Sequence, residues 1–100
     1  MQKLGPADVM MSDWNVLLII HQGKQIEKFL GYWHQKDTYR ISSQIESYDP
    51  DTDTGRTLSG SKYKFLDKPG ALHPEAQVIF DMLEKSDDVV VFLKYPPVEK

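Results

Sequence analysis

A chain of 100 residues, 40% apolar and 27% charged, is sized for one domain with a single core and leaves no room for a second catalytic domain. It has no cysteine, which excludes disulfides, thiolate metal sites, iron–sulfur clusters and thiol nucleophiles. A formal net charge of −3 argues against general nucleic-acid binding. The longest apolar run, Val16 to Ile20, falls far short of the roughly 20 residues a membrane helix requires. Met1 to Met11 has no long apolar stretch of the signal-peptide kind, so the sequence predicts a soluble, cytoplasmic protein.

Residues 1–12, with Gly5-Pro6 and two adjacent methionines, read as a loosely ordered leader to a single domain over 13–97. "WNVLLII" places Trp14, Val16, Leu18 and Ile20 on one face and Asn15, Leu17 and Ile19 on the other, the pattern of a central strand covered on both sides. "HQGK" is a turn. Residues 25–34 fit either a helix, through Ile26, Phe29, Leu30 and Trp33, or a strand, through Phe29, Gly31 and Trp33. The internal Gly-Tyr-Trp favours the strand. A third strand, "TYRISSQIES", alternates cleanly, and a fourth is expected over "RTLSGSKYKFL", closed by "DKPG".

"HPEAQVIFDMLEK" has Pro74 at its first turn and Ala76, Ile79, Phe80 and Leu83 on one stripe, the signature of an amphipathic helix. "VVVFLKY" then reads as a final strand, apolar on both faces, before Pro96 and Pro97 end the ordered chain. The expected fold is therefore α+β, a mainly antiparallel sheet of about five strands with the helix packed across it. Strand 1 and the final strand are expected to lie centrally beneath the helix. A curled, barrel-like sheet is the alternative.

Two motifs fail on inspection. "DPDTDTG" imitates a calcium loop, with Asp49, Asp51 and Asp53 at positions 1, 3 and 5. Position 6 is Thr54 where the turn needs glycine, and position 12 is Gly60 where a bidentate acid belongs. A polar hairpin tip explains the same residues, with a weak calcium site as a minor reading and no metal or other cofactor expected. "GRTLSGSK" resembles a phosphate loop, but Ser61 precedes Lys62 in reverse of the required order, and the segment reads as extended. His21, His34 and His73 form no H-x-x-x-H pair and no evident base-orienter set, so no catalytic residue is assigned and no enzyme is expected.

Folding strands 3 and 4 about residues 51–53 would set Tyr39 opposite Phe65, Ile41 opposite Tyr63, and Arg40 opposite Lys64. The hairpin would then carry Arg40, Lys62 and Lys64 near its base and Glu46, Asp51 and Asp53 near its tip, with Tyr48 close by. These seven side chains are the candidate partner-binding residues of a small non-enzymatic interaction module, the partner being a protein. Single-stranded nucleic acid is the weaker reading, through stacking and phosphate contacts. A sheet edge would also permit a homodimer.

"YRISSQI" followed by "TLSGSKYKFL" resembles a hairpin pattern, R-I-[ST]-S then T-x-S-G-S-x-Y-x-L, of short bacterial or phage proteins with no assigned activity. The resemblance covers about a quarter of the chain and implies a bacterial origin, without an activity, cofactor or site.

Overall fold

The computed structural model of the protein describes residues 8–70, 72 and 74–95. Six strands and one helix follow in the order β1 (Asp8–His21), β2 (Lys24–Trp33), β3 (Thr38–Asp49), β4 (Thr54–Thr57), β5 (Lys62–Phe65), α1 (Pro74–Glu84) and β6 (Val90–Leu93). The domain is broadly α+β, with a mixed, mostly antiparallel sheet and one short helix. The segment that fitted both helix and strand is the strand β2.

The sheet curls on itself, as the alternative reading had it. β1 pairs with β2, and the run β2-β3-β4-β5 leads back to β1. A closed meander of an odd number of strands must contain one parallel junction, and here it lies between β5 and the first part of β1, Asp8 to Met11. The second part of β1, Leu17 to Ile20, pairs antiparallel with β6 on the same edge. One strand therefore serves two neighbours in succession.

An irregularity between Ser12 and Asn15, with Asp13 at φ 48°, makes this possible. Val9 and Met11, both odd positions, point into the barrel before it; Trp14 and Val16, both even, point inward after it. The bulge switches the inward parity and bends the strand. Gly31 on β2 lies against it, where a Cβ would sit 2.4 Å from Trp14 Cβ and 2.9 Å from its Cα. Only a glycine lets the two backbones come this close.

Two cores result. Inside the barrel, Val9, Met11, Trp14, Val16, Phe29, Tyr63 and Phe65 are buried, with Trp33, Ile45, Tyr48 and Tyr95 packed against them. Trp14 stacks on Phe65 with ring centroids 3.8 Å apart and meets Tyr48 edge-on at 5.3 Å. Outside the barrel wall, Leu17, Leu30 and Val91 meet Ala76 and Phe80 of α1, with Ile79 and Leu83 of the expected stripe half-buried. Each face of β1 thus fills a different core, as its doubly apolar pattern requires.

Asn15 is fully buried at the junction. Its Nδ2 donates to the Tyr95 carbonyl at 2.6 Å, and its Oδ1 accepts from the Val16 and Tyr95 amides at 2.8 and 3.0 Å. Those bonds fasten the chain beyond β6 to the centre of β1. Asp67 closes the other gap, accepting from the Asp13 amide at Oδ2 and from Trp14 Nε1 at its carbonyl.

Three expectations are corrected. Strand 1 begins at Asp8, so residues 8–12 of the expected leader belong to β1, because Val9 and Met11 are core residues. Residues 1–7, His73 and the terminating Pro96 and Pro97 lie outside the described residues. The expected fourth strand is split by a turn at 58–61, where Gly60 adopts φ 96°. The last strand, β6, lies at the edge of the sheet, with Val90 53% and Phe92 52% exposed.

Candidate functional site

The split of the fourth strand dissolves the expected hairpin face. Ile45, Ser47, Tyr48 and Asp49 pair with Thr57, Arg56, Gly55 and Thr54, while Tyr39 and Arg40 face Tyr32 and Gly31 of β2. Arg40 therefore never meets Lys64. Its guanidinium lies 4.3 Å over the Trp33 ring and its Nε donates to the Tyr63 hydroxyl at 2.8 Å. Half-buried between two aromatic rings, Arg40 serves packing at the end of β2 and β3 where Trp33 lies.

Lys62 and Lys64 remain exposed on the outward face of β5, opposite Arg56 and Thr54 of β4. With Ser47 and Asp49 they border a shallow depression of about 330 Å³. Lys64 Nζ is turned to the Thr52 carbonyl at 3.0 Å. Asp51 is exposed at the tip, where its amide donates to Asp49 Oδ1. Among the described residues no group of three or more acidic or histidine side chains is placed to hold a metal ion, and the calcium reading gains no support.

The other candidates belong to a larger feature. At the opposite end of β2 and β3 from Arg40, the barrel opens into a groove of about 770 Å³. Gln25, Ile26 and Glu27 come from β2, Gln44 to Tyr48 from β3, and Pro50 from the hairpin tip. Lys68 and Pro69 come from the segment after β5, Lys94 and Tyr95 from the segment after β6. Ile45 and Tyr48 also pack on the barrel core, so the groove is a continuation of that core to the surface. Inward alternation along β2 and β3 carries apolar side chains to the mouth, where chain ends supply prolines and lysines.

Charges of both signs ring it. Lys94 Nζ stands 3.3 Å from Glu27 Oε1. Lys68 Nζ stands 2.8 Å from Asp53 Oδ1 and donates to the Pro50 carbonyl, which ties the hairpin tip to the mouth. The Asp53 bond holds the Lys68 ammonium above its usual pKa. Both pairs lie at the solvent-exposed rim, where ion pairs are weak, so a ligand carrying its own charges can exchange partners with them at small cost.

Tyr48 is the unusual member. Its ring is wedged against Trp14, Phe29 and Phe65, and its hydroxyl is buried with no hydrogen-bond partner among the described residues. Burial pushes its pKa above 10.0, and nearby Tyr95 adds to the rise.

Of the seven sequence candidates, the fold brings Tyr48 and Glu46 to the groove and Asp53 to its rim through Lys68. It leaves Arg40, Lys62, Lys64 and Asp51 elsewhere. Lys68 was missed because "DKPG" read only as a closing turn, Lys94 and Tyr95 because they read as the end of the final strand, and Glu27 because residues 25–34 were read only for their helix or strand pattern; lysines beside prolines and an aromatic were the available signal.

Ser12 Oγ lies 2.7 Å from His34 Nε2, the described pair closest to a nucleophile and base. The pair is exposed to solvent, and no hydrogen bond at His34 Nδ1 among the described residues orients the ring. His21 Nδ1 is engaged with the Asp88 carbonyl. No described helix is long and apolar enough to cross a membrane.

Comparison with protein-family models, with curated proteins and with solved structures finds no match to the chain.

Proposed function

We infer that the protein is a non-enzymatic interaction module that binds a segment of a partner protein in the groove at the barrel mouth, with the β3–β4 hairpin as one wall. The carrying observation is the groove itself: an apolar floor of Ile45, Tyr48 and Tyr95 continuous with the core, rimmed by Glu27, Glu46, Lys68 and Lys94. An aromatic floor with charges at the edge is the anatomy of a protein-binding patch, in which the apolar centre supplies affinity and the rim supplies register. Rim charges of both signs favour a mixed-charge, amphipathic segment over a polyanion. That weighs against nucleic acid at this groove. Single-stranded nucleic acid retains one supporting observation, the cluster of Arg56, Lys62 and Lys64 on the outward face of β4 and β5. Tyr63, the aromatic residue at that depression, is buried and offers no stacking platform.

The test is selection from a random peptide display library on the wild-type protein and on the Lys68→Glu/Lys94→Glu variant, with a single-stranded oligonucleotide as parallel probe. Selected peptides should carry an apolar centre with flanking charges and should perturb the amide resonances of residues 25–27, 44–48 and 94–95. They should lose at least about tenfold in affinity on the variant. Equal binding to both proteins, or perturbations confined to β4 and β5, would overturn the assignment. Oligonucleotide binding that falls steeply with salt would promote the alternative.

A further inference from the structure

The edge strand β6 has an unusual combination of properties. It is a short run of apolar residues, Val90 to Leu93, without proline or bulge, and half of it is exposed. Natural sheet edges normally carry charges or distortions that prevent pairing. Here the charges lie just outside the strand, with Asp87 and Asp88 before it and Lys94 after it.

The direction of its free backbone groups can be read from its bonds to β1. The Lys94 amide donates to the Val16 carbonyl, and the Asp88 carbonyl faces His21. Even-numbered residues of β6 thus turn their backbone groups toward β1. In a strand the odd-numbered ones, Val89, Val91 and Leu93, then turn theirs to the open edge. The side chains follow the same parity. Val89, Val91 and Leu93 pack toward α1, while Val90 and Phe92 emerge on the other face beside Leu18 and Ile20, their partners across β1.

We propose that β6 is a homodimer interface, the edge strand pairing antiparallel with the β6 of a second copy about a two-fold axis through Val91. In that register Val91 faces Val91 of the other copy and Val89 faces Leu93, so every outward amide and carbonyl of the strand meets a partner. Val90 then lies opposite Phe92 on the exposed face, completing an apolar strip shared by both copies. One step further out, Asp88 lies opposite Lys94 at both ends. Backbone parity allows this register, and the apolar and charge matches single it out. Shifting the axis to residue 90 or 92 keeps the backbone parity but sets Asp88 opposite Phe92, or Val90 opposite Lys94, and so loses both the apolar and the charge match. A shift of one residue between the strands sets the helix-packed face against the exposed face. The occupant is a second copy because the strand's two flanks, acidic before and basic after, complement each other only when the strand meets itself in reverse.

Lys94 in this arrangement stands between Glu27 of its own chain and Asp88 of the other, and each barrel mouth adjoins the shared strip. Pairing through so short a strand buries less than the roughly 1,200 Å² of a tight standard interface, so the dimer is a weak one, in the micromolar range.

Sedimentation of the wild-type chain from about 5 to 500 µM should show a monomer passing to a dimer. The absence of native cysteine makes crosslinking a clean measure of register. In a non-hydrogen-bonded antiparallel pair the Cα atoms approach to about 4.5 Å, within disulfide range. Protein carrying Val90→Cys mixed with protein carrying Phe92→Cys should form a disulfide dimer at least about tenfold faster than either variant alone. Asp88→Lys should weaken the dimer by up to about fivefold, and adding Lys94→Glu to the same chain should recover it. A monomer at every concentration overturns the proposal. Crosslinking as fast in the Val90→Cys protein alone, or failure of the charge swap to recover association, overturns it as well.

Discussion

Replacing Tyr48 by Phe removes one oxygen from a buried place where it has no hydrogen-bond partner among the described residues, and leaves the ring in its aromatic nest. A buried hydroxyl without a partner costs about 1–3 kcal/mol relative to its hydrated state. The vacated space is smaller than a methyl group and gives back part of that gain through lost dispersion contacts. The expected net effect is a stabilisation of about 1 kcal/mol, or a rise of about 4–8 °C in Tm for a domain of this size. Urea titration at pH 7, followed by tryptophan fluorescence, measures it. The same substitution carries a pH signature. Because the folded protein holds the Tyr48 proton more tightly than the unfolded chain, this contribution is complete below pH 10.0 and is lost as pH rises through the elevated value. The difference in stability between wild type and variant should therefore widen above pH 10 in favour of the Phe protein. A variant destabilised at pH 7, with no change in this difference at high pH, would refute the assignment of Tyr48 as an unsatisfied group.

Asn15→Leu keeps the volume but orphans the amide and carbonyl of Tyr95. A loss of about 2–4 kcal/mol is expected by the same urea titration, together with chemical-shift changes at residues 94 and 95. Gly31→Ala drives a methyl into the Trp14 backbone, and a destabilisation of about 3 kcal/mol or more should accompany altered tryptophan fluorescence. Burial raises the Asp67 carboxyl above its ordinary 3.8, against the hydrogen bond from the Asp13 amide, which opposes the rise. Its favourable contribution is complete below 3.8 and is lost as pH climbs through the raised value. Asp67→Asn retains an acceptor for the Asp13 amide, so it should leave the fold intact and flatten the stability profile across that acidic window, as thermal melts at stepped pH would show.

Local pattern carried most of the secondary structure. Period-two alternation marked β1 and β3, the internal Gly-Tyr-Trp tipped the ambiguous β2 to strand, and Pro74 with the Ala76 to Leu83 stripe marked α1. What escaped was long-range or a matter of a single residue. Closure of the barrel depends on β1 meeting both β2 and β5; the first contact is announced by the turn at "HQGK", but the parallel pairing with β5 leaves no local trace. Val9 and Met11 were hidden by a following bulge that breaks the alternation linking them to Trp14 and Val16. The turn at 58–61 passed as strand because Ser-Gly-Ser can be small pleated residues as readily as a reversal, and only the positive φ of Gly60 distinguishes them. That one error moved the whole register of the hairpin. It set Arg40 beside Lys62 and Lys64 when the fold turns Arg40 away to Trp33, whereas Tyr48 and Glu46, near the tip, reached the groove.

β1 is bonded along both edges, to β2 from Met11 to His21 and to β5 and then β6 on the other side, and each of its faces fills a separate core. No partial opening can free its central amides without dismantling both cores at once. In native-state hydrogen exchange the amides of Val16 to Ile19 should therefore mark the slowest set, exchanging only through global unfolding. The β6–α1 layer, held to the rest by one strand edge and one helix face, should exchange earlier as a unit. A chain of this size would then hold two cooperative units with a single strand as their common spine.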